Sequence, residues 1–300
     1  MKLFYSPKYE IDIGAHVFPT SKYRLVHDRL IEEGFAKESD FVDPGLASDR
    51  DILLVHTPQY VDKLKTGKFT VEELYKMELP YKKELMESVW TTASGTILAC
   101  KEALETGVGV HIGGGVHHAY PDHGEGFCIV NDIAIGIRRC LKDKDIKKAM
   151  VIDCDLHQGN GTAAIFQDDP NVFTFSIHEE DIYPYPKEKS DLDIGLDPGI
   201  GDQKYLSSLA PRIPSLLKEF KPDLIIYLAG ADPYAEDQLG FLELTIEGLK
   251  KRDEIVIGEA KRNGISLAMV YGGGYAPRVE DTVTIHANTV RTALISLENS

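Results

Sequence analysis

The 300-residue chain is 43% hydrophobic and 27% charged, ordinary proportions for a globular domain with one large core. Its 33 Lys and Arg face 48 Asp and Glu, a net charge of −15 that offers nucleic-acid phosphates no basic surplus; it suits a cationic substrate, or serves solubility alone. No apolar run is long enough to span a membrane, and the opening Met1-Lys2-Leu3-Phe4-Tyr5-Ser6-Pro7 is too brief for a secretory signal, so a cytoplasmic protein is expected.

Short apolar runs alternate with longer amphipathic stretches, the pattern of a mostly parallel sheet flanked by helices in a single α/β domain over residues 1–300. In chain order the pattern predicts a helix over 81–106, a strand over 108–112, a helix over 128–142, and strands over 149–153 and 172–177. A Pro/Gly/Asp-rich loop follows over 183–201. Then come a helix over 202–220, a strand over 223–229, a helix over 245–263, a strand over 266–271 and a helix over 279–297. No repeat, low-complexity tract or linker interrupts the series. Cys100, Cys128, Cys140 and Cys154 lack CxxC spacing and read as reduced thiols, neither a disulfide framework nor a structural zinc site.

Each of these strands ends in a polar cluster. They are Gly113-Gly114-Gly115-Val116-His117-His118, Asp153-Cys154-Asp155-Leu156-His157, Ser176-Ile177-His178, Gly230-Ala231-Asp232 and Gly272-Gly273-Gly274-Tyr275. Ligands of open parallel sheets bind at the carboxyl ends of the strands, so the clusters are expected to converge on one site. Residues two apart on an extended segment share a face. Asp153, Asp155 and His157 would thus project together, or Asp155 and His157 would share a metal as the strand unwinds, with Asp232 as a third ligand. Two carboxylates and an imidazole make an open zinc site; the plainer alternative is that the aspartates cap helices. His117-His118 alone would be weak evidence, but after three glycines at a strand end the pair can divide base and acid duties, with Asp153 and Asn160 as partners for the second ring nitrogens. Tyr275 would donate to a developing oxyanion, or else simply pack. The Gly272–Gly274 run lacks GxGxxG and a following Lys-Ser/Thr, which argues against a phosphate loop.

With these motifs the chain resembles the histone deacetylase family of arginase-like fold. The likeness runs from Val108 to Arg278, with weaker likeness in Val55-His56-Thr57-Pro58-Gln59-Tyr60 and Gly95-Thr96. Its most specific segments are 113–130, 153–161 and Gly230-Ala231-Asp232 with Asp237-Gln238-Leu239-Gly240. His157-Gln158-Gly159-Asn160-Gly161, Ile182-Tyr183-Pro184 and Lys251-Arg252-Asp253-Glu254 look most like class IV. The resemblance implies one zinc ion on Asp155, His157 and Asp232, His117 paired with Asp153 as general base, and His118 facing Asn160 as general acid or electrostatic helper. It implies that Tyr275 polarises the acyl carbonyl, that Phe127 and Tyr183 wall an acyl-lysine tunnel, and that Gly126, Leu239, Gly273 and Gly274 also meet the substrate. A structural monovalent cation, such as K+, is implied near Asp153, Asp155, His157, Ser176 and Ile177.

Asn160 departs from family members that carry Asp there, though members with Asn are known; an amide cannot neutralise an imidazolium, so His118 should protonate less readily than His117. No residue matches the family's substrate-gripping aspartate securely, and Glu78 is the candidate. The expected partner is an acyl-lysine peptide or protein, or a small acylated amine. A two-manganese amidine hydrolase would carry Asp where this chain has Gly159, and a spermidine-selective acetylpolyamine amidohydrolase would carry Glu near Leu239. A catalytically silent acyl-lysine binder would hold metal without turnover. Class IV relatives that prefer long fatty-acyl chains make acyl length an open alternative.

Overall fold

Aliphatic and β-branched runs build eight parallel strands in the computed structural model, which describes residues 1–298. They are β1 (Leu3–Phe4), β2 (Phe41–Val42), β3 (Val108–His111), β4 (Ala149–Asp153), β5 (Val172–Glu179), β6 (Leu192–Leu196), β7 (Leu224–Leu228) and β8 (Ser266–Val270). Their order is β2-β1-β3-β8-β7-β4-β5-β6, and every pairing is parallel. All carboxyl ends therefore lie along one edge. From β4 the chain steps outward to β5 and β6, and from β7 it steps the other way to β8. The β4–β7 boundary is thus a switch point, where a crevice is expected.

The helices are α1 (Lys22–Glu32), α2 (Asp49–Ile52), α3 (Pro58–Thr66), α4 (Val71–Met77), α5 (Lys83–Thr106), α6 (Asp132–Asp143), α7 (Asn160–Phe166), α8 (Asp202–Leu209), α9 (Arg212–Phe220), α10 (Ile246–Arg262) and α11 (Val279–Glu298). Alternate strand residues feed two cores. Met150, Ile152, Ile225, Tyr227 and Met269 pack with α1 and α8 to α11, while Val151, Leu224, Ile226, Leu228 and Val270 pack with α5 and α6. Burial on both faces is why β4 and β7 read as continuous apolar runs. A third core gathers Tyr60, Leu64, Met77 and Trp90 of α3 to α5 with Leu79, Ile129 and Val130. Among the described residues no helix is long and apolar enough to cross a membrane.

The structure corrects several boundaries. The helix expected over 202–220 is two, α8 and α9, because Pro211 supplies no amide hydrogen to continue the first. The helix expected over 128–142 starts at Asp132, where the Asn131 side chain accepts the Ala134 amide; Cys128 is instead held in a turn against Glu125. The loop over 183–201 contains β6, an edge strand paired with β5. The short β1, β2 and α7 went unread because their periodicity is too brief to register.

Candidate active site

Where β4 ends, the chain unwinds through two side-chain turns. Asp153 accepts the Asp155 amide at 3.1 Å, and Asp155 accepts the His157 amide at 3.0 Å. Asp155 and His157 are thereby brought together in the unwound segment. Asp232, beyond β7, joins them, its Oδ1 accepting the Leu156 amide at 3.0 Å. One ligand atom from each of Asp155, His157 and Asp232 lies within 4.8 Å of the others, and all three residues are buried. Glycines make this approach possible: a Cβ on Gly230 would come within 2.6 Å of Asp155 Cα, and one on Gly273 would collide with Asp232.

Burial and the charge of Asp155 push Asp232 up to about 7. Asp232 Oδ2 lies 3.3 Å from His157 Nδ1 but makes no hydrogen bond. A buried carboxylate oxygen left without a donor, beside a second carboxylate and an imidazole, fits a divalent cation. Burial opposes charge on His157, but Asp155 and Asp232 outweigh it and hold the ring up at about 10. Metal binding would release that proton.

The two histidines lie beside this group, ring centroids 4.0 Å apart. His117 Nδ1 is 2.8 Å from Asp153 Oδ2, and its Nε2 is 3.7 Å from Asp155 Oδ1. Burial disfavours its charge, yet Asp153 and then Asp155 raise it to about 9. His118 Nδ1 is 2.6 Å from Asn160 Oδ1, an oxygen oriented by bonds from the amide nitrogen to Tyr120 and Glu125. Burial, with repulsion from His117 and His157, drives His118 well below the usual imidazole range. The two rings therefore differ in the direction expected from Asp153 against Asn160. An aspartate at Gly159 would not fit, because a Cβ there collides with Asp153 Oδ2 and comes within 3.1 Å of His117 Nδ1.

Above these groups opens a cavity of about 310 Å³ lined by Glu78, His118, Gly126, Phe127, His157, Tyr183, Leu239 and Tyr275. Backbone bonds from Gly126 and Phe127 to Lys76 and Met77 pin one wall to α4, and Phe127 takes a left-handed φ of 63°. Tyr183 stands 5.0 Å from the His118 ring and donates to Glu125. Tyr275 is held through its own backbone, its amide donating to Asp237 and its carbonyl accepting from Gln238. Burial, then Asp232 and Asp155, keep its phenol protonated well above the usual range, so it is a donor. Gly273 and Gly274 are not in the cavity wall. The Gly273 amide donates to Asp155, and Gly274 backs onto Ala231 and Thr282. Ser176 pairs in register with Asp153, with Ile177 next to it.

Several supporting residues escaped the reading of the sequence. Asp132 accepts the Gly115 and Val116 amides, setting the loop that presents His117; Thr96 bonds to Asp132 and to His111, whose other nitrogen meets Tyr9. Lys22, buried on α1, donates to the Gly272 carbonyl beneath Tyr275. The Gly95-Thr96 likeness was the only local signal for any of these; the partners lie 15 to 250 residues apart in the chain.

A profile of the histone deacetylase domain matches residues 16–290. The chain is 41% identical to an uncharacterised protein of Picosynechococcus sp., over 96% of this chain and 97% of that one. It is 32% identical to histone deacetylase 2 of Arabidopsis thaliana (92% and 74% covered) and 30% identical to acetoin utilization protein AcuC of Staphylococcus aureus (87% and 72%). Its fold matches the crystal structure of the HDA15 HD domain with a TM-score of 0.82 at 20% identity, over 98% of this chain and 88% of that one. The eight-stranded parallel sheet flanked by helices thus defines an α/β protein of arginase-like architecture. The chain belongs to the histone deacetylase family, and that membership implies deacetylase hydrolysis.

Proposed function

We propose that this chain is a zinc-dependent lysine deacylase acting as one domain over residues 1–300. The observation that carries the reading is the meeting of Asp155, His157 and Asp232 with the His117–Asp153 and His118–Asn160 pairs at the base of a cavity that Tyr275 also lines. A zinc ion held by Asp155, His157 and Asp232 would supply Lewis acidity toward the amide carbonyl, and a positive charge offsetting the carboxylate field that keeps His117 protonated.

The chain's own groups do the rest. His117 Nε2 takes a proton from the attacking water, while Asp153 holds the Nδ1 hydrogen and steadies the imidazolium. The Tyr275 hydroxyl donates to the carbonyl oxygen as charge develops there. The proton that His117 took passes on to the leaving amine by way of His118 Nε2, whose ring stands 4.0 Å from His117 and whose Nδ1–H is held by Asn160 Oδ1. A carboxylate and a free lysine amine result. Phe127 and Tyr183 flank the extended acyl-lysine, with Gly126 and Leu239 completing the wall. The monovalent cation remains a proposal for the Asp153, Ser176 and Ile177 region, and the class IV assignment rests on the motifs quoted above.

Acyl chains longer than acetyl belong to the same proposal. Phe127 also borders a second, smaller cavity of about 80 Å³, lined mainly by apolar groups such as Phe18, Leu79, Val89 and Ile129. A second reading, hydrolysis of acetylated polyamines, draws support from Glu78, a carboxylate at the cavity wall.

The test is turnover of a lysine-peptide panel from acetyl to myristoyl, with acetylated polyamines alongside, by zinc-loaded protein. Peptide turnover that a chelator stops supports the deacylase. Faster acetyl than myristoyl cleavage removes the long-chain reading, turnover of polyamines alone moves the substrate class, and zinc uptake without any turnover leaves a binding module.

A further inference from the structure

The largest side chain buried to completion is Arg252, on the face of α10 that meets the sheet. Its Nη1 donates to two backbone carbonyls, Cys154 O at 3.2 Å and Gly230 O at 2.6 Å. Cys154 lies between Asp153 and Asp155, and Gly230 lies two residues before Asp232. Both carbonyls sit beyond the last register pair of β4 and β7, Asp153 with Leu228, so the strand ladder no longer holds them. Asp253 balances the charge, with Oδ1 2.9 Å from Arg252 Nε and 2.8 Å from Nη2; Tyr227 and Thr289 donate to the same carboxylate. Arg252 therefore joins two ligand-bearing loops from behind without adding net charge to the carboxylates in front.

We infer that Arg252 is a positioning residue, a clamp that sets the separation of the Asp155–His157 loop from Asp232. The inference rests on the metal reading proposed above. A guanidinium suits the task because several of its donors lie in one rigid plane and stay charged when buried. A lysine offers one rotatable ammonium on a flexible stem and cannot reproduce that fork. The tolerance is narrow, since Gly230 already approaches Asp155 so closely that a methyl group would not fit.

The test compares three variants with the unaltered chain: Arg252→Lys, the double variant Arg252→Gln with Asp253→Asn, and Thr289→Val. The double variant removes both charges together and leaves no lone buried ion. Thr289→Val breaks a bond to Asp253 but touches neither carbonyl. Two quantities are read: zinc affinity by competition with a chromophoric chelator, and melting temperature of metal-stripped protein. The clamp requires roughly 10-fold or greater weakening of zinc in each Arg252 variant that folds, with kcat reduced more than KM is raised. It requires Thr289→Val to lower the melting temperature while leaving zinc affinity unchanged. Unaltered zinc affinity in a folded Arg252 variant overturns the clamp, as does equal weakening in Thr289→Val. Absence of zinc uptake by the unaltered chain would instead sink the metal reading, and the clamp with it.

Discussion

Asp155, His157 and Asp232 at the floor of the cavity are buried, and hydrogen bonds to neighbouring backbone fix both carboxylates. At the rim, Glu78, Phe127, Tyr183 and Leu239 are half-buried or exposed and come from loops and the end of α4. The floor stands on strand ends that a two-sided core holds still, whereas the rim stands on connections free to vary. The contrast teaches where chemistry and selectivity separate: floor changes should alter the rate of any substrate, and rim changes should alter which substrate is chosen.

Breaking the floor gives the largest effects. Asp232→Asn removes a ligand charge, and it should abolish both zinc retention, read by metal analysis after dialysis, and turnover. Full zinc occupancy in that variant would remove Asp232 from the ligand set. Tyr275→Phe should keep zinc and fold but lower kcat by about 10²- to 10³-fold, since one oxyanion donor is lost. An unchanged kcat would take Tyr275 out of the mechanism.

The His118–Asn160 pair sharpens the comparison within the floor. Asn160→Asp places an anion 2.6 Å from a ring that burial and two neighbouring imidazoles now hold low. The anion favours the charged form, so the pKa of His118 rises. If His118 is the acid, the alkaline limb of the kcat profile moves to higher pH by the same amount. A profile that does not move assigns the leaving-group proton elsewhere.

Rim changes should be smaller and selective. Leu239→Glu should improve kcat/KM for acetylated polyamines several-fold, on the order of 1 kcal/mol, and leave uncharged acyl substrates near their starting rates. Equal change for both classes would contradict a recognition role. Glu78→Gln should raise KM for cationic peptides by a similarly small factor with kcat nearly constant.

The sheet was legible because parallel strands buried on both faces are written as apolar runs such as Met150–Ile152 and Ile225–Leu228. Boundaries were less so: the start of α6 depends on the Asn131 cap, and β6 exists because β5 offers it an edge. The site residues were legible for a related reason. Gly-flanked polar clusters at strand ends are local signals, and parallel topology carries such ends to one place.

The chemistry on offer is therefore written locally: two carboxylates and an imidazole, a histidine pair with unequal partners, and a phenol on a glycine turn. How those groups are held emerges from the packed fold. The Asp132–Thr96–His111–Tyr9 chain behind His117, Lys22 under Gly272 and the grip of Arg252 on Cys154 and Gly230 join residues far apart in the chain. A buried polar group must find a partner wherever the packed fold supplies one, and no periodicity or local motif records which partner that will be.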